Sequence, residues 1–357
     1  MGQLGMRTLL PMLVLLAGCR EAARFETPIQ PEHPWSVATP DADQRARLEA
    51  AREYHESVGG LSMLVVQGDS LIFESYAPGN EAATPHPLWS GTKTFACALA
   101  MEGVGQGLLD LDEPAVNTLP ELFDDRADIT ARHLLQLTSG LDGDWLALSL
   151  DGFYEAEDQR IEDKYAHALS QSLITRPGST YQYGSVHLMV FGELMTRKLA
   201  RDPLAWLETQ VLDPIGFRSA GWTRDPSGNP MWPYGAWTTA AEWMRFGVLL
   251  RDDGLWQGER ILPEGTLSAC ATGSKANPAY GLGMWLNEDP GDADLTGIAQ
   301  FETEGPILYA QGPDDLVAAG GARGQRLYIL PSQDMVVAIL TDSREFTDSE
   351  FLSRLLE

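Results

Sequence analysis

Ser90 and Lys93 stand three residues apart in Leu88-Trp89-Ser90-Gly91-Thr92-Lys93-Thr94-Phe95, the only Ser-x-x-Lys in the sequence. Residues three apart on a helix share a face, so the lysine amine can reach the serine hydroxyl. Such a pair is a nucleophile with its base. The chain holds only four lysines, Lys93, Lys164, Lys198 and Lys275, which gives the match weight. The plain structural alternative is a serine N-cap followed by a solvated lysine. Acyl transfer also needs a proton for the leaving group and donors for the developing oxyanion. Tyr183 ends the turn-rich loop Pro177-Gly178-Ser179-Thr180-Tyr181-Gln182-Tyr183-Gly184-Ser185, from which a phenol can project into a cleft. It would take or relay a proton if the charge of Lys93 lowered its pKa, or it would simply pack the loop. The glycine-rich stretch Ala318-Ala319-Gly320-Gly321-Ala322-Arg323-Gly324-Gln325 precedes an expected strand. Missing side chains there let a substrate approach the backbone, and a strand-edge amide can meet an oxyanion. The alternatives are a plain turn or a phosphate cradle, and the cradle is disfavoured because no lysine accompanies the glycines and no helix follows them.

These residues need elements to hold them. A helix is expected from about Gly91 to Gln106, another from Gln44 to Glu56, and one over Val186 to Leu194. Asp128 to Leu135 begins a further helix that closes at Thr138-Ser139-Gly140-Leu141, with His133 and Ser139 in structural roles. Leu61 to Gln67 and Leu71 to Tyr76 form a hairpin around Gly68-Asp69. Strands return at Tyr280 to Trp285, and Arg326 to Leu330 pairs with Met335 to Thr341 around Pro331-Ser332-Gln333-Asp334. Glu350 to Glu357 reads as a short terminal helix. The middle of the chain shows no strand-type alternation. One antiparallel sheet is therefore expected from the two chain ends, flanked by helices, with an inserted mainly helical lobe over about 115–245.

The N-terminus carries an address. Residues 1–18 read as a signal peptide, since Leu9 to Leu16 is too short an apolar run to span a bilayer. The stretch closes on Leu16-Ala17-Gly18-Cys19, which resembles a bacterial lipoprotein box with Cys19 as the lipidated residue. Arg20 in the next position points to the outer membrane, facing the periplasm. Residues 19–40, with Pro28, Pro31, Pro34 and Pro40, read as a tether to a domain over 41–357. A formal net charge of -26 over 357 residues argues against nucleic-acid binding and against docking on anionic lipid. Cys97 and Cys270 either pair or serve as small core residues, and the sequence leaves this open. The six histidines show no metal-ligand spacing, and no Gly-x-Ser-x-Gly elbow of an α/β-hydrolase occurs.

Ser90-x-x-Lys93, Tyr183-Gly184-Ser185 and the late glycine stretch fall in the order of the serine β-lactamase and penicillin-binding-protein superfamily. More closely, the chain resembles the β-lactamase-related serine hydrolases, which include class C-like enzymes, family VIII esterases and 6-aminohexanoate-dimer hydrolases. Arg132-His133-Leu134-Leu135-Gln136-Leu137-Thr138-Ser139-Gly140-Leu141, Pro177-Gly178, Thr238 to Gly247, and Gly324 to Pro331 agree, and the resemblance spans residues 45 to 357. It implies an α+β, β-lactamase/transpeptidase-like fold and a serine hydrolase acting on a small ester or amide, without metal or organic cofactor. By the same resemblance Ser90 attacks, Lys93 is its base, Tyr183 assists, and the backbone amides of Ser90 and Gly321 hold the oxyanion. Ser185, Arg323 and Trp237 are candidate substrate-binding residues, the last among the aromatics Trp222, Trp232, Tyr234 and Trp237. The sequence departs from the family in two places. Gly184-Ser185 replace the Ser-Asn or Ala-Asn of the second motif, and Ala318-Ala319-Gly320 stand where Lys-Thr-Gly or His-Thr-Gly would lie. The cation that engages a carboxylate is then absent unless Arg323 replaces it. A D-Ala-D-Ala carboxypeptidase, a β-lactamase, and a catalytically idle ligand-binding lipoprotein remain the alternatives. Nothing in the sequence sets the oligomeric state.

Overall fold

The computed structural model describes residues 34–143, 161–295 and 305–357. Cys19, the signal peptide, the first part of the tether and most of the acidic stretch Glu155 to Asp163 lie outside the described residues.

The strands are β1 (Ser36–Val37), β2 (Gly60–Gln67), β3 (Ser70–Tyr76), β4 (His86–Pro87), β5 (Gly221–Trp222), β6 (Ala236–Thr238), β7 (Leu255–Trp256), β8 (Glu259–Arg260), β9 (Trp285–Leu286), β10 (Val317–Gly321), β11 (Gln325–Leu330) and β12 (Met335–Thr341). The α-helices are α1 (Ala42–Ser57), α2 (Lys93–Gly105), α3 (Ala131–Leu135), α4 (Lys164–Leu169), α5 (Val186–Leu199), α6 (Pro203–Leu207), α7 (Ala240–Arg251), α8 (Thr266–Cys270) and α9 (Asp348–Leu356). A seven-stranded sheet runs in the order β1-β3-β2-β12-β11-β10-β9. It joins the two chain ends as expected. The β2–β3 hairpin turns at Gly68, whose φ of 57 suits a residue without a Cβ.

Alternation along β11 and β12 assigns the faces. Leu327 and Val336 meet Gly247 of α7, while Tyr328 stacks on Phe351 of α9 at 5.7 Å. Every residue of β12 is buried, because helices cover it on both sides.

Four expectations are corrected. The pairing of β1 with β3 is parallel, since the chain enters along the sheet edge. The glycine-rich stretch expected just before a strand forms a strand of its own, β10, paired with β11 from Val317↔Ile329 to Gly321↔Gln325. The strand expected over Tyr280 to Trp285 shrinks to β9, reached through a loop that places Gly283 against the Lys93 backbone carbonyl. The middle of the chain is not strand-free: β5 and β6 join β4 in a small sheet, and elements of two or three residues are too short to show an alternation.

Cys97 and Cys270 are bonded, with Cα atoms 6.1 Å apart and a sequence separation of 173. Both are fully buried, so Cys97 is a core residue and a crosslink at once. The bond ties α2, which carries Lys93, to α8. Closing so long a loop restricts the unfolded chain, and the double variant Cys97→Ala/Cys270→Ala is expected to lose about 2–5 kcal/mol of stability. Thermal or urea unfolding against the parent checks this, and an unchanged midpoint would show that the bond does not form in the folded protein.

Candidate active site

Ser90 sits in a tight 3₁₀ turn, Trp89–Thr92, that leads directly into α2. The helix thus begins two residues later than expected, and the pair keeps its common face. Ala236 of β6 pins the turn from both ends: its carbonyl accepts from the Leu88 amide at 2.9 Å, and its amide donates to Thr92 Oγ1 at 3.1 Å. Trp89 is held at φ 49, a left-handed conformation that a bulky residue adopts only when its surroundings impose it. Gly91 is required by packing, because a Cβ there would lie 2.8 Å from the Trp243 ring.

Lys93 Nζ lies 2.9 Å from Ser90 Oγ and 2.8 Å from the Pro233 carbonyl, and 4.8 Å from the centre of the Tyr183 ring. The lysine is 3% exposed. Burial disfavours its charge and pushes the amine down to about 7. A neutral amine has one lone pair: with an N–H given to Pro233, that lone pair is left to receive the serine proton.

Burial pushes the Tyr183 phenol up to about 12, against the opposing pull of a Ser90 hydrogen bond and the Arg326 charge. The expectation that Lys93 would lower this pKa is therefore corrected: the low dielectric neutralises the lysine and keeps the tyrosine protonated. The phenol is a proton donor at neutral pH. Its ring stacks on Trp285 at 5.9 Å and meets the Tyr280 edge at 6.5 Å.

A residue that the sequence did not single out holds this tyrosine. His187, fully buried on α5, is pushed down to about 4 by desolvation and by the nearby Lys93. The neutral ring lies 2.8 Å from the Gln182 carbonyl through Nε2 and 2.8 Å from Ser139 Oγ through Nδ1. A carbonyl can only accept, so Nε2 carries the proton and Nδ1 accepts from Ser139. Gln182 also donates its amide to the Leu137 carbonyl at 3.0 Å. Ser139 thus has a structural role, as expected, and the loop bearing Tyr183 is fixed one residue upstream. A histidine four residues past Tyr183 on an apolar helix was the available signal.

Gly321 ends β10 with its Cα against the Leu88 carbonyl, leaving no room for a Cβ. That contact brings the tip of β10 beside the turn bearing Ser90. Ser185 is buried just before α5, and its hydroxyl does not cap that helix. Arg323, at φ 61, gives its guanidinium to Asp342. Trp237 is half-buried on β6, opposite Pro87 and Gly221. Trp222 and Trp232 are 5.3 Å apart, and Trp222 packs on Phe95 of α2. Both therefore belong to the core beneath the site. Among the described residues, no cluster of acidic, histidine or cysteine side chains has the form of a metal site.

The family model for beta-lactamase matches residues 45–356. A monacolin J acid methylbutanoyltransferase of Aspergillus terreus is 30% identical over 158 residues, which are 39% of this chain and 38% of that one. The match thus spans less than half of this relative's length. Among solved structures, EstCE1, a hydrolase with promiscuous acyltransferase activity, superposes with a TM-score of 0.67 at 18% identity, covering 88% of this chain and 98% of its own. A penicillin-binding protein homologue from Caulobacter crescentus gives 0.65 at 16% identity, covering 90% of this chain and 98% of its own. These likenesses show the same fold, a mixed α+β architecture with one large sheet.

Proposed function

The chain belongs to the beta-lactamase family, and on that premise we propose that it is a serine hydrolase cleaving a small ester or amide through an acyl-enzyme on Ser90. The observation that carries this reading is the 2.9 Å approach of Lys93 Nζ to Ser90 Oγ, with the amine pushed down to about 7 by burial. As the Ser90 oxygen bonds to the carbonyl carbon, its proton passes to Lys93 and the carbonyl electron pair moves onto oxygen. Backbone amides of Ser90 and Gly321 are the proposed donors to that oxyanion. Its collapse breaks the bond to the leaving group, which takes a proton from Tyr183, and Lys93 returns its proton to the phenolate. Water then attacks the acyl carbon, Lys93 takes its proton, and Ser90 is reprotonated as the acid leaves.

Ala318 and Ser185 stand where the family's carboxylate-binding and amide-binding side chains would lie, and Arg323 is engaged by Asp342. This favours an ester or amide over a penicillin or a peptide carboxylate. The likeness to an acyltransferase fits the same intermediate, since a hydroxyl in place of water would carry the acyl group away. An envelope location through a lipid on Cys19 belongs to the same proposal.

Labelling with a fluorophosphonate, followed by turnover of a panel of esters, amides and β-lactams, tests the reading. Labelling at Ser90 with ester turnover is expected. A stable penicillin adduct at Ser90 would instead support the peptidase branch, and neither label nor turnover would support a binding protein. Tyr183→Phe is expected to cost about 10²–10⁴-fold in kcat for alkyl esters, whose alkoxide must be protonated. The cost for p-nitrophenyl esters should be much smaller, because that leaving group departs as the anion. Equal losses on both substrates would remove the acid role from Tyr183.

A further inference from the structure

Arg326 is 1% exposed and Asp348 2%. The guanidinium meets the carboxylate side-on, Nε to Oδ1 at 2.7 Å and Nη2 to Oδ2 at 2.8 Å, and the Tyr328 hydroxyl donates to the same carboxylate at 2.6 Å. Burying such a pair gains little stability, because desolvation offsets the attraction. The remaining nitrogen faces the other way. Nη1 donates to the Gly321 carbonyl at 3.1 Å and to the Gln325 carbonyl at 3.0 Å. Arg326 stands opposite Gly320 in the β10–β11 register, and Nη1 lies 3.6 Å from where a Gly320 Cβ would be. The Trp285 indole fills the other side of that position at 3.1 Å, and it is this indole on which Tyr183 stacks. The carboxylate holds the guanidinium from behind, so the positive end of the pair points along β10 toward the site.

We propose that Arg326, oriented by Asp348, is a positioning residue of the hydrolytic site. It clamps the tip of β10 through the Gly321 carbonyl and lays a positive charge under the Gly320 backbone, beside the Trp285 indole on which Tyr183 stacks. This rests on the reading of Ser90, Lys93 and Tyr183 as the reacting groups. Tyr183 faces Lys93 from α2, Tyr280 from the loop into β9, Trp285 from β9, Tyr181 from its own loop, and the charge of Arg326 from β11, itself paired with Asp348 of α9. Removing either member of the ion pair breaks the same buried contact, but the two removals change the charge near Tyr183 in opposite senses. The positive charge favours the phenolate, in keeping with the lowering that Arg326 exerts on Tyr183.

The test places 3-fluorotyrosine at position 183 and follows its ¹⁹F titration in the parent, Arg326→Gln, Arg326→Lys and Asp348→Asn proteins. Arg326→Gln is expected to raise the Tyr183 midpoint, Asp348→Asn to lower it, and Arg326→Lys to hold it near the parent value. With Tyr183 itself in place, Arg326→Gln is expected to lower kcat on an alkyl ester about tenfold or more with little change in KM, and Arg326→Lys to recover part of the loss. Midpoints that move the same way in the Gln and Asn variants, or do not move, would overturn the proposal, as would a lysine variant that titrates like the glutamine one. The ¹⁹F readout needs no turnover, so its failure is distinct from failure of the hydrolase reading.

Discussion

Ser90→Ala is expected to leave a folded protein whose ester turnover falls by roughly 10⁴–10⁶-fold. The substitution deletes one oxygen from a turn held by backbone bonds to Ala236 and by the Gly91–Trp243 contact, and none of these uses the serine hydroxyl. Thermal stability should therefore change little. The loss in rate is large because the hydroxyl bonded to Lys93 is removed, and the remaining donors then act only on uncatalysed attack by water. Kinetics on a p-nitrophenyl ester and an unfolding curve for the same preparation check both halves. Turnover at the parent rate would show that the nucleophile lies elsewhere.

Lys93→Met is expected to cost about 10²–10⁴-fold in kcat/KM while raising thermal stability. The gain follows from the sign of the lysine shift. The unfolded chain holds the proton up to its ordinary value of 10.5, and the folded protein releases it above about 7. Between those values the unfolded state binds more protons, so stability rises with pH across the window, and at pH 7 folding bears the full cost of burying that amine. Methionine fills similar space without that cost. The same shift sets the pH dependence of the parent enzyme: kcat/KM should climb through a midpoint near 7 as Lys93 loses its proton, then hold level, because Tyr183 titrates only near 12. A profile flat well below 7, or a methionine variant less stable than the parent, would show that Lys93 is not a buried neutral base.

The β2–β3 and β11–β12 hairpins were legible in the sequence because β-forming residues flank recognisable turns, and the Ser90–Lys93 pair because three-residue spacing survives the change from α to 3₁₀ geometry. The features that were not legible share a cause: they depend on partners distant in the chain. After Val317, strand β10 is built of alanine and glycine, which show no alternation, and its conformation comes from pairing with β11. The disulfide links residues that only the fold brings together. His187 reads as one polar residue on an apolar helix until Ser139 and the Gln182 carbonyl are placed beside it. The reversal at Tyr183 has the same origin: charge proximity can be guessed from sequence, but the burial that neutralises Lys93 and protonates Tyr183 cannot.

The central claim is a covalent bond between substrate acyl group and Ser90, and trapping it is the direct test. The protein would be mixed with an excess of a p-nitrophenyl ester, quenched in acid during turnover and digested for mass spectrometry. The predicted result is the acyl mass on the peptide containing Ser90, absent from the Ser90→Ala protein. An acyl group on any other residue, or its persistence together with turnover after Ser90→Ala, would contradict the account.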